Sequence, residues 1–383
     1  MSMSQCSNSV SVSAQETSGV LLGKTLKELQ DVAREAGLPE FAGKQLAQWL
    51  YVHKVTSIDR MTNISLKGRE ALKARYTVGR SAPVREAVST DGTRKYLFPV
   101  GRTEERRDNT GACFVEAVYI PEDDRATLCV SSQAGCKMGC RFCMTGTLGF
   151  HGHLSAADIL NQIFYFDTFA SDKGLDGPQG LTNLVLMGEG EPMDNLDNVL
   201  HALEIMTAPY GCAWSPKRIT VSTVGIPAMK RFLDESGCHL AVSLHNPFPE
   251  ERAQLMPAEK IMSIRDVVAL VRQYDWTHQR RVSFEYICFD DKPVNGRIVN
   301  NITPRHAKEL LRLLRGLNCR INLIRYHTAP SSPLQKEPES ADSLVWFRDY
   351  LTANGLTTTI RRSRGEDILA ACGMLVNALS STT

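Results

Sequence analysis

From residue 126 to residue 324 the chain repeats one unit: a short β-prone run, a loop, then a longer stretch with helical periodicity. The β-prone runs are Thr127–Ser131, Asn183–Met187, Arg218–Ser222, His239–Ser243, Val282–Ile287 and Arg320–Ile324. Apolar residues recur at helical spacing over Ser155–Phe169, Leu196–Thr207, Ile226–Glu235, Ser263–Tyr274 and Thr303–Leu317. Strands alternating with helices predict parallel pairing through right-handed crossovers. The fold class expected is therefore α/β, a partial (β/α)6 barrel, with its chemistry at the C-terminal ends of the strands. A helix over Ser340–Ala353, a strand over Leu356–Arg361 and a short final helix follow the sixth strand.

The first of these strands runs into Cys136-Lys137-Met138-Gly139-Cys140-Arg141-Phe142-Cys143, a C-x3-C-x2-C loop. Three thiolates so spaced can hold three irons of one 4Fe–4S cluster and leave the fourth open to a chelating small molecule. A structural zinc site would favour paired C-x2-C units, and no second pair follows; unrelated reduced thiols are the other alternative. The spacing and the aromatic before the last cysteine resemble the signature loop of the radical S-adenosylmethionine (SAM) superfamily, whose open iron chelates SAM. After the second strand, Gly188-Glu189-Gly190-Glu191-Pro192 combines close backbone approach at Gly190 with a carboxylate, Glu191, able to accept hydrogen bonds from an amino group. Ser222 ends the third strand and Ser243-Leu244-His245 the fourth. Polar strand ends of this kind suit the ribose and carboxylate of a nucleoside ligand, with strand-end capping as the alternative.

The segment before the barrel divides in three. Residues 1–23 read as a disordered tail, with neither a signal nor a transit peptide. Residues 24–80 carry three helical patterns (Thr25–Ala36, Ala42–Lys54, Leu66–Tyr76) and read as a small basic accessory domain, with a solvated helical surface as the alternative to a binding face. Residues 81–125 read as a β-hairpin extension, with strands at Val84–Val88, Lys95–Val100 and Phe114–Ile120 and an Asp91-Gly92 turn. Residues 126–376 form the core with its C-terminal extension. The net charge of +2 conceals an asymmetry: Lys24–Arg107 holds 17 Lys/Arg against 10 Asp/Glu, while Asp108–Thr383 is near −4. A basic module on an acidic body suits a polyanionic partner. Eleven cysteines without disulfide-framework spacing argue for a reducing, cytoplasmic setting, and no apolar run reaches membrane-spanning length.

Two further cysteines gain weight from their surroundings. Cys129-Val-Ser-Ser-Gln-Ala-Gly-Cys136, Cys140-x-Phe-Cys143, Gly188-x-Gly-Glu-Pro192, Val221-Ser-Thr, Val242-Ser-Leu-His245 and Arg364-Gly-Glu-Asp…Ala-Cys372-Gly together resemble the RlmN/Cfr family of radical SAM RNA methyltransferases over about residues 24 to 376. The resemblance implies one 4Fe–4S cluster on Cys136, Cys140 and Cys143, two SAM molecules per turnover, and RNA binding by residues 24–80. It implies SAM contacts from Gly190, Glu191, Ser222, Ser243, Leu244, His245 and the position of His327. Cys372 would carry a methyl group to adenine, Glu116 would accept a proton, and Cys129 would release the product by forming a disulfide with Cys372. Implied partners are 23S rRNA (carbon 2 of adenine 2503), tRNA (adenine 37) and a reducing donor such as flavodoxin or ferredoxin, with no membrane. Methylation at carbon 8, the resistance-type activity, and a non-catalytic Fe–S RNA-binding protein are the alternatives. Two positions depart from the family pattern: Arg325-Tyr326-His327 follows the sixth strand where relatives have Pro and then Asn, and Met144 follows the cluster loop.

Overall fold

The computed structural model describes residues 19–100, 113–172, 180–277, 281–294, 296–327, 341–371 and 373–375. Cys6 and Cys372 lie outside the described residues.

The chain enters as a two-residue strand β1 (Gly19–Val20), then helix α1 (Leu26–Glu35). Thr25 starts α1 with a capping box: its hydroxyl accepts from the Glu28 N–H while Glu28 accepts from the Thr25 N–H. Leu29, Val32 and Ala33 form the buried stripe that the periodicity predicts. The next helix, α2 (Ala42–Ala47), continues as a π-helical turn over Gln48–Val52, where one unbroken helix was expected. The wider turn buries Leu50 and Tyr51 together and leaves Val52 exposed. Tyr51 donates its hydroxyl to Lys24 O and packs near Phe164 of the barrel. Helix α3 (Leu66–Lys73) leads to β2 (Tyr76–Thr77), which pairs in parallel with β1 and closes this unit on itself. Leu29, Leu46 and Tyr51 belong to the same contiguous core as the barrel strands.

Strands β3 (Arg85–Val88), β4 (Arg94–Val100) and β5 (Cys113–Pro121) form an antiparallel meander. It is continuous with the main sheet, because β5 pairs antiparallel with β6 (Ala126–Cys129). A small hairpin of β7 (Gln133–Gly135) and β8 (Phe150–His153) brackets the cysteine loop and the one-turn helix α4 (Met144–Thr147). Then α5 (Ala156–Asp172), β9 (Asn183–Leu186), α6 (Leu196–Thr207), β10 (Ile219–Thr223), α7 (Met229–Glu235) and β11 (His239–Ser243) alternate. They are followed by α8 (Pro249–Leu255), α9 (Ile264–Gln273), β12 (Val282–Cys288), a hairpin of β13 (Lys292–Val294) and β14 (Arg297–Val299), α10 (Pro304–Leu313) and β15 (Cys319–Arg325). Helix α11 (Ala341–Ala353) and strand β16 (Thr358–Ile360) complete the sheet.

The ten-stranded sheet has the order β16-β15-β12-β11-β10-β9-β6-β5-β4-β3. All pairs from β6 to β16 are parallel, as six βα units joined by crossovers require. The expected (β/α)6 barrel is what the chain forms, extended by β16 on one edge and by the meander on the other. β15 shows the reason: Ile321 and Leu323 are buried, and Arg320 and Asn322 point the other way, into a polar lumen. Among the described residues no helix is long and apolar enough to cross a membrane.

Candidate active site

The cysteine loop leaves β7 and returns through α4, so its three thiols meet the strand ends rather than the solvent. Cys136, Cys140 and Cys143 line one cavity with Gly190, Glu191, Ser222, Ser243 and His245. Gly139, at φ +64°, allows the turn between the first two. Burial pushes the Cys136 thiol up to about 12 and also raises Cys140 and Cys143; ligation to iron would remove those protons. Among the described residues no three His, Cys, Asp or Glu side chains converge as a single-ion site demands. The three thiols that line this cavity suit a cluster that takes one thiolate per iron and leaves one iron open.

The loop after β9 is built around two glycines. A Cβ at Gly188 would lie 2.7 Å from Ser131 Oγ, and one at Gly190 (φ +97°) 2.5 Å from Gln133 Cβ. The two glutamates of this loop divide the work. Glu189 accepts from the Glu116 N–H at 2.8 Å and the Gly135 N–H at 3.3 Å, bracing β5 and β7 against β9. Glu191 faces the cavity, held by the N–H groups of Val224 (2.8 Å) and Met193 (3.1 Å). Burial raises its carboxyl to about 7. Opposite, His245 adopts φ +55° and accepts at Nδ1 from the Ile287 N–H at 3.0 Å. Burial, then the Arg252 charge, depresses its pKa to about 3, so the ring is neutral. Phe142, the aromatic of the cysteine loop, meets it edge-on at 5.0 Å.

Two residues expected at SAM do not line this cavity with their side chains. The Leu244 side chain is in the core and its N–H is spent on Glu285 O. His327 bonds Ser363 Oγ at 2.9 Å and lines a second, more polar cavity inside the lumen. The two cavities share Met187, Glu285, Ile324 and Arg361 as a common wall.

The C-terminal segment reaches the cluster loop from the other side. Gly373 lines the first cavity and accepts from the Met144 N–H at 2.8 Å, and Leu375 O accepts from Thr145 Oγ1 at 3.2 Å. Cys129, at the end of β6, packs in a small separate apolar cluster with Val118, Ala370 and Leu375. Ala370 and Leu375 stand on either side of position 372 in the chain. Cys129 and the described residues on either side of position 372, more than 240 positions away in sequence, thereby share one cluster beside a loop fit for iron.

Known proteins resemble this chain over most of its length. Residues 20–78 match the model of the "ribosomal RNA large subunit methyltransferase N-terminal domain", and residues 130–295 that of the radical SAM superfamily. A protein of Bacteroides fragilis named "Probable dual-specificity RNA methyltransferase RlmN" is 57% identical over 94% of this chain and 96% of its own length. The dual-specificity RNA methyltransferase RlmN of Syntrophobacter fumaroxidans is 38% identical, over 92% of this chain and 96% of its own. The chain belongs to the RlmN family. A crystal structure of a radical SAM methyltransferase from Sphaerobacter thermophilus superposes with a TM-score of 0.81 at 35% identity, covering 94% of this chain and 99% of that one.

Within this RlmN-family site, two residues were not evident from sequence. Arg252, fully buried, pairs with Glu259 and donates to the carbonyls of Val224 (2.6 Å), Ser243 (2.9 Å) and Leu244 (2.9 Å). It fixes the ends of β10 and β11 where Ser243 and His245 face the cavity. Lys95, on β4, pairs with Glu116 at 3.1 Å. A charged residue in a helix or strand reads as a solvated face until tertiary structure buries it. For Lys95 one signal existed: the Asp91-Gly92 hairpin turn and the strand register it sets put Lys95 on the same face as Leu97.

Proposed function

We propose that the chain is a radical SAM enzyme that methylates carbon 2 of adenine 2503 in 23S rRNA, and an adenine of tRNA, through a methyl group carried on Cys372. Cys136, Cys140 and Cys143 would hold the cluster. Glu191 and Gly190 would receive the amino group of SAM, with Ser222, Ser243 and neutral His245 around its ribose and carboxylate. When bound, the cluster supplies the electron that cleaves SAM to a 5′-deoxyadenosyl radical. Cys372 takes a methyl group from a first SAM; the 5′-deoxyadenosyl radical removes one hydrogen atom from that methyl, and the resulting methylene carbon bonds to carbon 2 of the adenine. Glu116 accepts the proton lost from carbon 2 as the adduct gives up one electron, which balances the one spent on cleaving SAM. The Cys129 thiolate attacks the sulfur of Cys372, so that an S–S bond forms as the C–S bond to the base breaks, and the released electron pair with a proton completes the methyl group. The pathway thus consumes two SAM molecules.

The observation that carries this reading is the packing of Cys129 against the cluster that contains Ala370 and Leu375, which flank position 372 in the chain. A radical SAM enzyme that did not pass a methyl group through a thioether would have no use for a second thiol there. The basic 24–80 module, matched to the family's N-terminal domain, is proposed to grip RNA, residues 81–125 to extend the sheet and residues 126–376 to act as the catalytic body. Aromatic carbon 2 is not nucleophilic, and its base has to leave the stack to reach a cavity, as single-stranded or splayed RNA allows. A reduced flavodoxin or ferredoxin is proposed as donor, in the cytoplasm.

Anaerobic reaction of the cluster-loaded enzyme with 23S rRNA and tRNA fragments, followed by nucleoside mass spectrometry, tests the assignment. The expected product is 2-methyladenosine. Finding 8-methyladenosine alone, or release of no 5′-deoxyadenosine, would overturn it.

A further inference from the structure

Cross-strand register places four residues on one face of the sheet. Lys95 on β4 is opposite Val118 on β5, and Val118 is opposite Cys129 on β6. Glu116, two residues before Val118, shares that face. The C-terminal segment lies over it: Ala370 and Leu375 contact Val118, and Lys95 Nζ donates to Leu369 O at 3.2 Å. The same Nζ is 3.1 Å from Glu116 Oε1, with the two side chains only 12% and 5% exposed. The turn before β4 clamps the segment further upstream. Asp91 accepts from the Gly365 N–H at 3.1 Å, Ser89 Oγ donates to Asp367 at 2.5 Å, and the Thr90 N–H donates to Asp367 at 3.1 Å.

We propose that Lys95 is a positioning residue for the proton-accepting step: its ammonium keeps Glu116 an ionised carboxylate and ties it to the C-terminal segment that bears Cys372. This rests on Glu116 being the proton acceptor. A carboxylate buried away from water favours its neutral form, which cannot accept a proton; a cation at contact distance reverses that preference. Among the described residues, the elements packed around Glu116 also carry Cys129 on β6, Glu189 after β9, and Asp91, Arg364, Glu366 and Asp367 at the clamp, while Arg94 and Tyr96 alternate to the opposite face of β4. Glu189 accepts from the Glu116 N–H and adds negative charge beside it. Asp91 and Arg364 face each other at 3.8 Å. Among the described residues Lys95 is the cation in direct contact with Glu116. In the step itself a C–H bond of the RNA–enzyme adduct breaks, the proton passes to a Glu116 oxygen, and the bonding electron pair stays on the adduct.

The test is the pH profile of single-turnover methylation of an rRNA fragment by the full-length, cluster-loaded enzyme carrying Lys95→Gln, which keeps a donor for Leu369 O but loses the charge. The acid limb is expected to move up by roughly 1–3 pH units. At neutral pH the rate drops about tenfold or more and an RNA–protein adduct accumulates on denaturing gels; alkaline pH restores turnover. Lys95→Arg returns the limb towards its original position. Lys95→Met repeats the measurement in a side chain of similar length, should Lys95→Gln fold poorly. An unshifted limb in the neutral variants overturns the proposal and leaves Lys95 a structural tie. Glu116→Gln separates the two readings: it should be inactive at every pH, and normal turnover by it would remove Glu116 as the acceptor whatever Lys95 does.

Discussion

Glu191 and His245 face one cavity with displaced titrations of opposite consequence. The raised Glu191 carboxyl, about 7 against an ordinary 4.5, contributes stability that is present below pH 4.5 and lost as pH rises through 7. The depressed His245, about 3 against 6.5, contributes stability that is present above pH 6.5 and lost as pH falls through 3. Between pH 4.5 and 6.5 the two slopes cancel. Urea unfolding of the apoprotein across that window should expose each when the other is removed. With Glu191→Gln, stability should fall as pH falls by about 1.4 kcal/mol per pH unit more than in the parent; with His245→Asn it should fall by a similar amount less. Parallel curves for parent and both variants would show that neither group titrates as its burial implies. At this scale the sequence exposed the residues whose chemistry is local, such as the cysteine triplet, Glu191 and His245. It concealed Arg252 and Lys95, whose roles exist only through the carbonyls and carboxylate that the fold brings to them. Nor did it show that the Leu244 side chain packs in the core or that His327 lines the polar lumen.

Secondary structure was legible wherever periodicity was long. Strand β11 and helix α6 begin and end where the pattern does, and the other barrel strands differ by one or two residues at an end. Short elements were not legible. The β1–β2 pair, the β7–β8 and β13–β14 hairpins and helix α8 have two to seven residues each, too few to repeat a period, and tertiary contacts decide them. The π-helical turn after α2 was also unread, since its pattern differs from an α-helix by a single residue. Among the elements, the loop after β9 has the least freedom. Gly190→Ala would force a side chain into a positive-φ position 2.5 Å from Gln133. The expected cost is roughly 1–3 kcal/mol, together with displacement of Glu191 and loss of SAM binding by equilibrium dialysis. Unchanged SAM affinity in a stably folded Gly190→Ala would show that the loop does not place the ligand.

Across the molecule, the antiparallel meander and the C-terminal segment act together on a barrel that would otherwise be a generic radical generator. β5 adds to the barrel edge at β6, and its register brings Glu116 beside Lys95 and into line with Cys129. The segment after β16 crosses that face, is clamped at the Asp91 turn, and returns to the cluster loop through Gly373 and Leu375. The N-terminal helices share the barrel core and bring the basic charge. This arrangement makes sense if methyl transfer runs through a thioether on one strap of chain and is released from the neighbouring strand. The direct measurement is a single anaerobic turnover of cluster-loaded Cys129→Ala with an rRNA fragment, resolved on a denaturing gel. A covalent RNA–protein adduct carrying the methylene bridge at Cys372 should accumulate, with no methylated RNA released. Free 2-methyladenosine-containing RNA at the wild-type yield, with no adduct, would contradict it.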